Sequence, residues 1–160
     1  MNKNILWIAG VFALILVGRT LSPPVLSAQE LRQVAKWERY AKEAAELTGI
    51  DPFIILGVIA TESRGYPDAI GLIGEIGLMQ LTTPAVQDLG YNVVPKDPRE
   101  NIRAGALYLR LQMVRMNQNL FDALRAYNAG AQAAKNDPDI AAGYANKVLR
   151  NARELRGALT

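Results

Sequence analysis

Apolar side chains recur along this chain in two rhythms. From Gln29 to Thr48, Leu31, Val34, Trp37, Ala41, Ala44 and Thr48 return at helical spacing among charged residues, which predicts one amphipathic helix closed by Gly49. The following stretch, "PFIILGVIATE", is apolar on every side, which predicts a buried helix with Asp51 as N-cap and Pro52 in its first position. Glycines 65, 71, 74 and 77 with Pro67 then break the pattern, so residues 63–77 read as a loop or a short sheet-like excursion.

The helical rhythm returns at Thr83-Pro84 and stops at Gly90. Asp97-Pro98-Arg99-Glu100 has the form of a capping box with Asp as the cap. The helix it opens carries Ile102, Ala106, Leu109, Met113 and Met116 on one face, methionines that read as core filler. Leu120 to Asn128 predicts a further helix, and Asp137-Pro138 opens the last, with Ile140, Tyr144, Val148, Ala152 and Leu155 inward. The expectation is an all-α domain of about six helices with one glycine-rich insertion after the second.

The first 28 residues belong to a different pattern. Lys3 and the terminal amine precede an apolar run from Ile5 to Gly18, followed by Arg19 and "SPPVLSAQE". Its 14 residues fall below the roughly 20 that span a bilayer and match a signal-peptide core. Residues 1–28 are therefore expected to direct export. Cleavage after Ala28 would leave residues 29–160, while the bulk of Leu26 keeps an uncleaved membrane anchor as the alternative.

Composition narrows the chemistry. The 160-residue chain has no cysteine and no histidine, which removes disulfides, thiol nucleophiles, Ser/His relays and the usual zinc ligands. No metal or cofactor is expected. Without residues 1–28 the chain keeps 16 basic and 15 acidic residues, and no Lys/Arg run is interleaved with aromatics, so no nucleic acid is expected as a partner.

Acid/base chemistry then falls to the carboxylates. Glu30, Glu38, Glu43, Glu46 and Glu154 lie on polar faces, and Asp51, Asp97, Glu100, Asp122, Asp137 and Asp139 sit where caps or first turns want them. Glu62, Asp68, Glu75 and Asp88 remain. Glu62 ends the apolar helix, where burial and the negative end of the helix dipole both disfavour its charge. An acid that stays protonated near neutral pH suits cleavage of a glycosidic bond. The alternative is a helix-end glutamate turned to solvent.

"GLMQ" (77–80) and "AYNAG" (126–130) offer amides, a phenol and a thioether that suit sugar hydroxyl and acetamido groups. "ES" at 62–63, "GLMQ" fifteen positions after Glu62, "AYNAG" and a tyrosine in "YANKV" stand in order. In this the chain resembles the family 1 lytic transglycosylases, the soluble-lytic-transglycosylase domain, from about Trp37 to Arg150. "NIRAGALYLRLQM" matches the segment between the second and third motifs. The resemblance implies an all-α, lysozyme-like fold within the α+β lysozyme-like superfamily, preceded here by an N-terminal hydrophobic helix. It implies a cleft for the glycan strands of peptidoglycan, with Glu62 as the catalytic acid acting between N-acetylmuramic acid and N-acetylglucosamine. The same glutamate would then take the C6 hydroxyl proton as a 1,6-anhydro ring closes. Met79, Gln80, Tyr127 and Asn128 are expected to line the cleft, with Tyr144 near the acid. Ser63 is expected to tie loop to helix.

Two positions depart from the family pattern. Where a serine is common, nine positions after the glutamate, stands Gly71; thirteen positions after it, where a small residue is usual, stands Glu75. A carboxylate at that offset also occurs in goose-type lysozymes. Glu75 therefore reads as an exposed loop glutamate, as a sugar contact, or as the base of a lysozyme-like muramidase. A non-catalytic glycan-binding assembly factor is a third reading, which has no need of a buried acid. With the apolar run of residues 5–18 read as an export signal or anchor, the protein is expected in the cell envelope or periplasm, secreted or held in the inner membrane by residues 5–18. A secretion, conjugation or phage assembly is a candidate partner, with virion association in the last case.

Overall fold

Eight α-helices succeed one another in the computed structural model, which describes residues 25–160. The apolar run of residues 5–18 and the helix expected there lie outside the described residues. The helices are α1 (Ala28–Ala35), α2 (Glu38–Thr48), α3 (Pro52–Glu62), α4 (Thr83–Gln87), α5 (Pro98–Arg115), α6 (Leu120–Ala129), α7 (Ala131–Asn136) and α8 (Ala142–Leu159). Among the described residues there is no strand; Ile76 makes single antiparallel bridges to Ile70 and Leu81 inside the glycine-rich loop.

Helix α3 is the axle, packed against α1, α2 and above all α8. Ile55, Leu56, Val58 and Ile59 are fully buried, and each such side chain contributes about 1.5–3 kcal/mol through burial. Asp51 caps the helix by accepting from the Phe53 amide, and Pro52 fills its first turn. Gly57 lets α8 come close, because a Cβ there would stand 2.7 Å from the Val148 carbonyl oxygen. This crossing brings the end of α3 to the beginning of α8.

Three expectations about the helices need correction. The single amphipathic helix of residues 29–48 is two helices that turn at Lys36-Trp37. The turn lets the Trp37 indole Nε1 donate to the Gly65 carbonyl at 2.8 Å, a long-range bond invisible to periodicity. Helix α7 follows α6 directly across Gly130, where no helix was expected. The last helix begins at Ala142, not at Asp137-Pro138. There the buried Arg125 guanidinium donates to the carbonyls of Ala134, Asp137 and Ile140 and pairs with Asp122, holding residues 137–140 as a turn.

At the other end, the Val25 and Leu26 amides donate to the Glu154 carboxylate. Leu26 is buried, and Ser27 forms a reciprocal capping box with Glu30. The expected boundary after Ala28 thus falls within the first turn of α1. Among the described residues no helix is long and apolar enough to cross a membrane.

Candidate active site

Glu62 is the last residue of α3 and looks into an open cleft that it shares with Glu75, Gln80, Tyr108, Tyr127 and Asn128. It is not turned out to solvent. The Tyr144 hydroxyl, from the first turn of α8, donates to Glu62 Oε1 at 2.7 Å. Burial is the largest influence on this carboxyl and raises its pKa to about 7. The Tyr144 bond works against that rise, the charge of Glu75 adds to it, and Lys147 lowers it. Burial wins, because taking a carboxylate out of water disfavours its charge more than one phenol bond restores it. Burial also drives the Tyr127 and Tyr144 pKa values well above the ordinary tyrosine range, with the charge of Glu62 adding to it. Both phenols remain hydrogen-bond donors.

The loop after α3 forms the opposing wall, and buried polar groups shape it. Ser63 Oγ bonds the carbonyls of Ile59 and Leu78 at 3.1 and 2.8 Å, so this serine ties loop to helix. Asn101, fully buried on α5, accepts from the Met79 amide at 3.0 Å and donates to the carbonyls of Ile76 and Pro95. Sequence reasoning missed Asn101. The signal was a polar residue one place before Ile102, in the first turn of the helix.

The expected site residues divide between wall and floor. Glu62, Glu75, Gln80, Tyr127 and Asn128 line the cleft. Tyr144 reaches it by its bond to Glu62. Met79 does not line it, which corrects the expectation: its side chain is fully buried against Gly105. Only its backbone serves the site, its carbonyl accepting from the Tyr127 hydroxyl at 2.9 Å. Thioether burial in the core wins over exposure to a polar groove. Tyr108, not anticipated, packs edge-on to Tyr127 with ring centroids 5.3 Å apart. Asp88 pairs with Arg115 and lies outside the cleft. Among the described residues no three carboxylates converge to hold a metal ion.

The fold and site thus define an all-helical domain whose open cleft holds two carboxylates, Glu62 and Glu75, the first of them largely buried. Residues 39–149 match the family model of the transglycosylase SLT domain, and the chain belongs to that family. It is 35% identical over 121 residues to a transglycosylase of Enterobacteria phage PRD1, covering 76% of this chain and 44% of that protein. It is 31% identical over 100 residues to the endo-type membrane-bound lytic murein transglycosylase A of Salmonella paratyphi B, covering 56% of this chain and 49% of the relative. The chain thus spans about half the length of these curated relatives. Its fold is similar to that of the 70 kDa soluble lytic transglycosylase of Escherichia coli, with TM-score 0.67 and 20% identity over 77% of this chain and 24% of that one. It also resembles the lytic transglycosylase Slt of Pseudomonas aeruginosa, with TM-score 0.55 and 23% identity over 73% of this chain and 22% of that one.

Proposed function

We propose that the protein is a peptidoglycan lytic transglycosylase that cuts between N-acetylmuramic acid and N-acetylglucosamine and leaves a 1,6-anhydromuramic acid end. The observation that carries this reading is Glu62, held protonated to about pH 7 at the foot of the cleft, under the Tyr144 hydroxyl. Protonated Glu62 gives its proton to the glycosidic oxygen as the C1–O bond breaks. The resulting carboxylate, stabilised by Tyr144, takes the proton of the C6 hydroxyl while that oxygen bonds to C1. Proton and bond counts close without water, and the acid is regenerated. Only carboxyl, phenol and amide groups of this chain take part.

Gln80, Tyr127 and Asn128 bind the sugars in this reading, and Glu75 adds a further contact. Membership in the transglycosylase SLT family and the ordered motifs support it. The envelope is the place of action, with residues 1–28 directing export or anchoring. A phage transglycosylase and membrane-bound lytic transglycosylases among the relatives support an envelope or virion setting.

The test is mass analysis of fragments released from purified sacculi. Expected are muropeptides lighter by one water than hydrolysis gives, and loss of their release in Glu62→Gln. General acid/base groups contribute roughly 10²–10⁴-fold, so a folded Glu62→Gln protein that keeps more than about a tenth of wild-type turnover overturns the assignment. One observation favours a second reading: Glu75 lines the same cleft as Glu62, as a water-activating carboxylate of a hydrolase would. Fragments with free reducing ends, abolished in Glu75→Gln, would establish that chemistry instead.

A further inference from the structure

Gly71 and Glu75 meet in space. A Cβ built at 71 would overlap the Glu75 carboxylate and stand 2.8 Å from the Gln80 side-chain oxygen. The backbone does not demand glycine at 71: Gly74 and Gly77 have φ of +90° and +83°, whereas Gly71 lies outside the left-handed region. Only the occupied space keeps a side chain away.

Both the Glu75 and Gln80 side chains are oriented by hydrogen bonds to the backbone. Glu75 Oε2 accepts from the Ile73 amide at 3.0 Å, and the Glu75 backbone carbonyl accepts from the Gly71 amide at 2.8 Å. Gln80 Nε2 donates to the carbonyls of Ala69 and Gly77 at 3.0 and 2.9 Å. Its NH₂ group is thereby committed to the backbone, and its oxygen faces Gly71. A carboxylate and an amide oxygen directed at one place repel each other unless a donor comes between them.

We propose that residues 71 and 75 form an exclusive pair: the Glu75 carboxylate fills the space a side chain at 71 would need. From there it joins the Gln80 oxygen in accepting a hydrogen bond from an N–H or O–H group of the bound sugar. This deepens the transglycosylase reading and rests on it for the identity of the ligand. Glu75 orients the glycan and does not carry water to it. Its charge, facing Glu62 across the cleft, also helps keep that acid protonated.

The experiment uses the full chain with Gly71→Ala, Glu75→Ala and the double variant. Because the atoms a new Cβ meets are the far ends of flexible side chains, Gly71→Ala should fold normally and expel the carboxylate. Binding of N-acetylglucosamine tetramer is titrated in a Glu62→Gln background, and KM, kcat and pH profiles are measured on glycan strands with Glu62 present. Hydrogen bonds to charged groups correspond to about a tenfold or larger change in affinity. Each single variant is expected to weaken tetramer binding about tenfold and raise KM, and to move the alkaline limb of the rate profile to lower pH. The double variant should bind no worse than Glu75→Ala alone, the signature of one shared interaction.

Wild-type binding in Gly71→Ala, or losses that multiply in the double variant, would overturn the pairing. A kcat loss above about a hundredfold in Glu75→Ala with unchanged binding would overturn the orienting role in favour of water activation. If the wild type releases nothing from sacculi, the transglycosylase reading fails, while the tetramer titrations decide the pairing by themselves.

Discussion

The Tyr144 hydroxyl donates to Glu62 Oε1 at 2.7 Å, joining the end of α3 to the first turn of α8 across 82 positions of sequence. The bond stabilises the carboxylate and so opposes the rise that burial imposes. Tyr144→Phe removes that opposition. Hydrogen bonds to charged groups are worth about 1.5–3 kcal/mol, so the Glu62 midpoint should move up by roughly one to two pH units. The alkaline limb of the rate profile is expected to follow it upward, while the acid-side plateau falls because the carboxylate left after proton transfer has lost its hydrogen bond. A limb that moves to lower pH would show that Tyr144 does not favour the ionised form.

Glu62 should weaken the fold it serves. Its pKa is about 7 in the folded chain against 4.5 as the reference, so the folded state binds the extra proton between those values. Stability then falls as pH rises through that window, by at most about 3 kcal/mol. Glu62→Gln carries no such penalty. Thermal unfolding should show the variant several degrees more stable than wild type at pH 8 and equal to it at pH 4. Equal melting at both would mean that Glu62 is not desolvated.

Gly57 tests the crossing that forms the site. A glycine-to-alanine change inside a helix ordinarily stabilises by about 0.5–1 kcal/mol, and that is expected for Gly157→Ala, whose Cβ would meet nothing within 4 Å. At Gly57 the new methyl meets the Val148 carbonyl oxygen at 2.7 Å, a backbone atom that cannot swing aside. Gly57→Ala should destabilise by about 1–3 kcal/mol. It should also impair turnover, because α3 and α8 carry Glu62 and Tyr144. Urea unfolding of the two variants side by side checks the opposite signs.

The amino-terminal edge gives a further measurement. A chain beginning at Gln29 lacks the buried Leu26 side chain and the Ser27 cap, contributions of about 1.5–3 and about 1 kcal/mol. It also leaves Glu154 without the two amides it accepts from. Its urea midpoint should lie clearly below that of a chain beginning at Val25. Coincident midpoints would show that residues 25–28 do not contribute to the fold.

The sequence by itself determined whatever depends on near neighbours. The apolar run of α3, the caps at Asp51 and Asp97 and the Pro52 and Pro98 starts were legible because caps and periodicity act within about four residues. The same reading isolated Glu62, since an acid closing an apolar helix can be seen without knowing what faces it. Residues joined only by folding were not legible. Trp37 breaks a continuous helical pattern to reach Gly65, and Arg125 unwinds the expected start of α8 by gathering three carbonyls. Met79 fits the cleft motif by letter and lies in the core by packing. Tertiary structure alone decided that burial outweighs Tyr144 at Glu62, and that the Glu75 carboxylate stands where a side chain at 71 would be. The reason is physical: desolvation and steric exclusion depend on what surrounds a group in space, and packing places residues far apart in the chain around the same group.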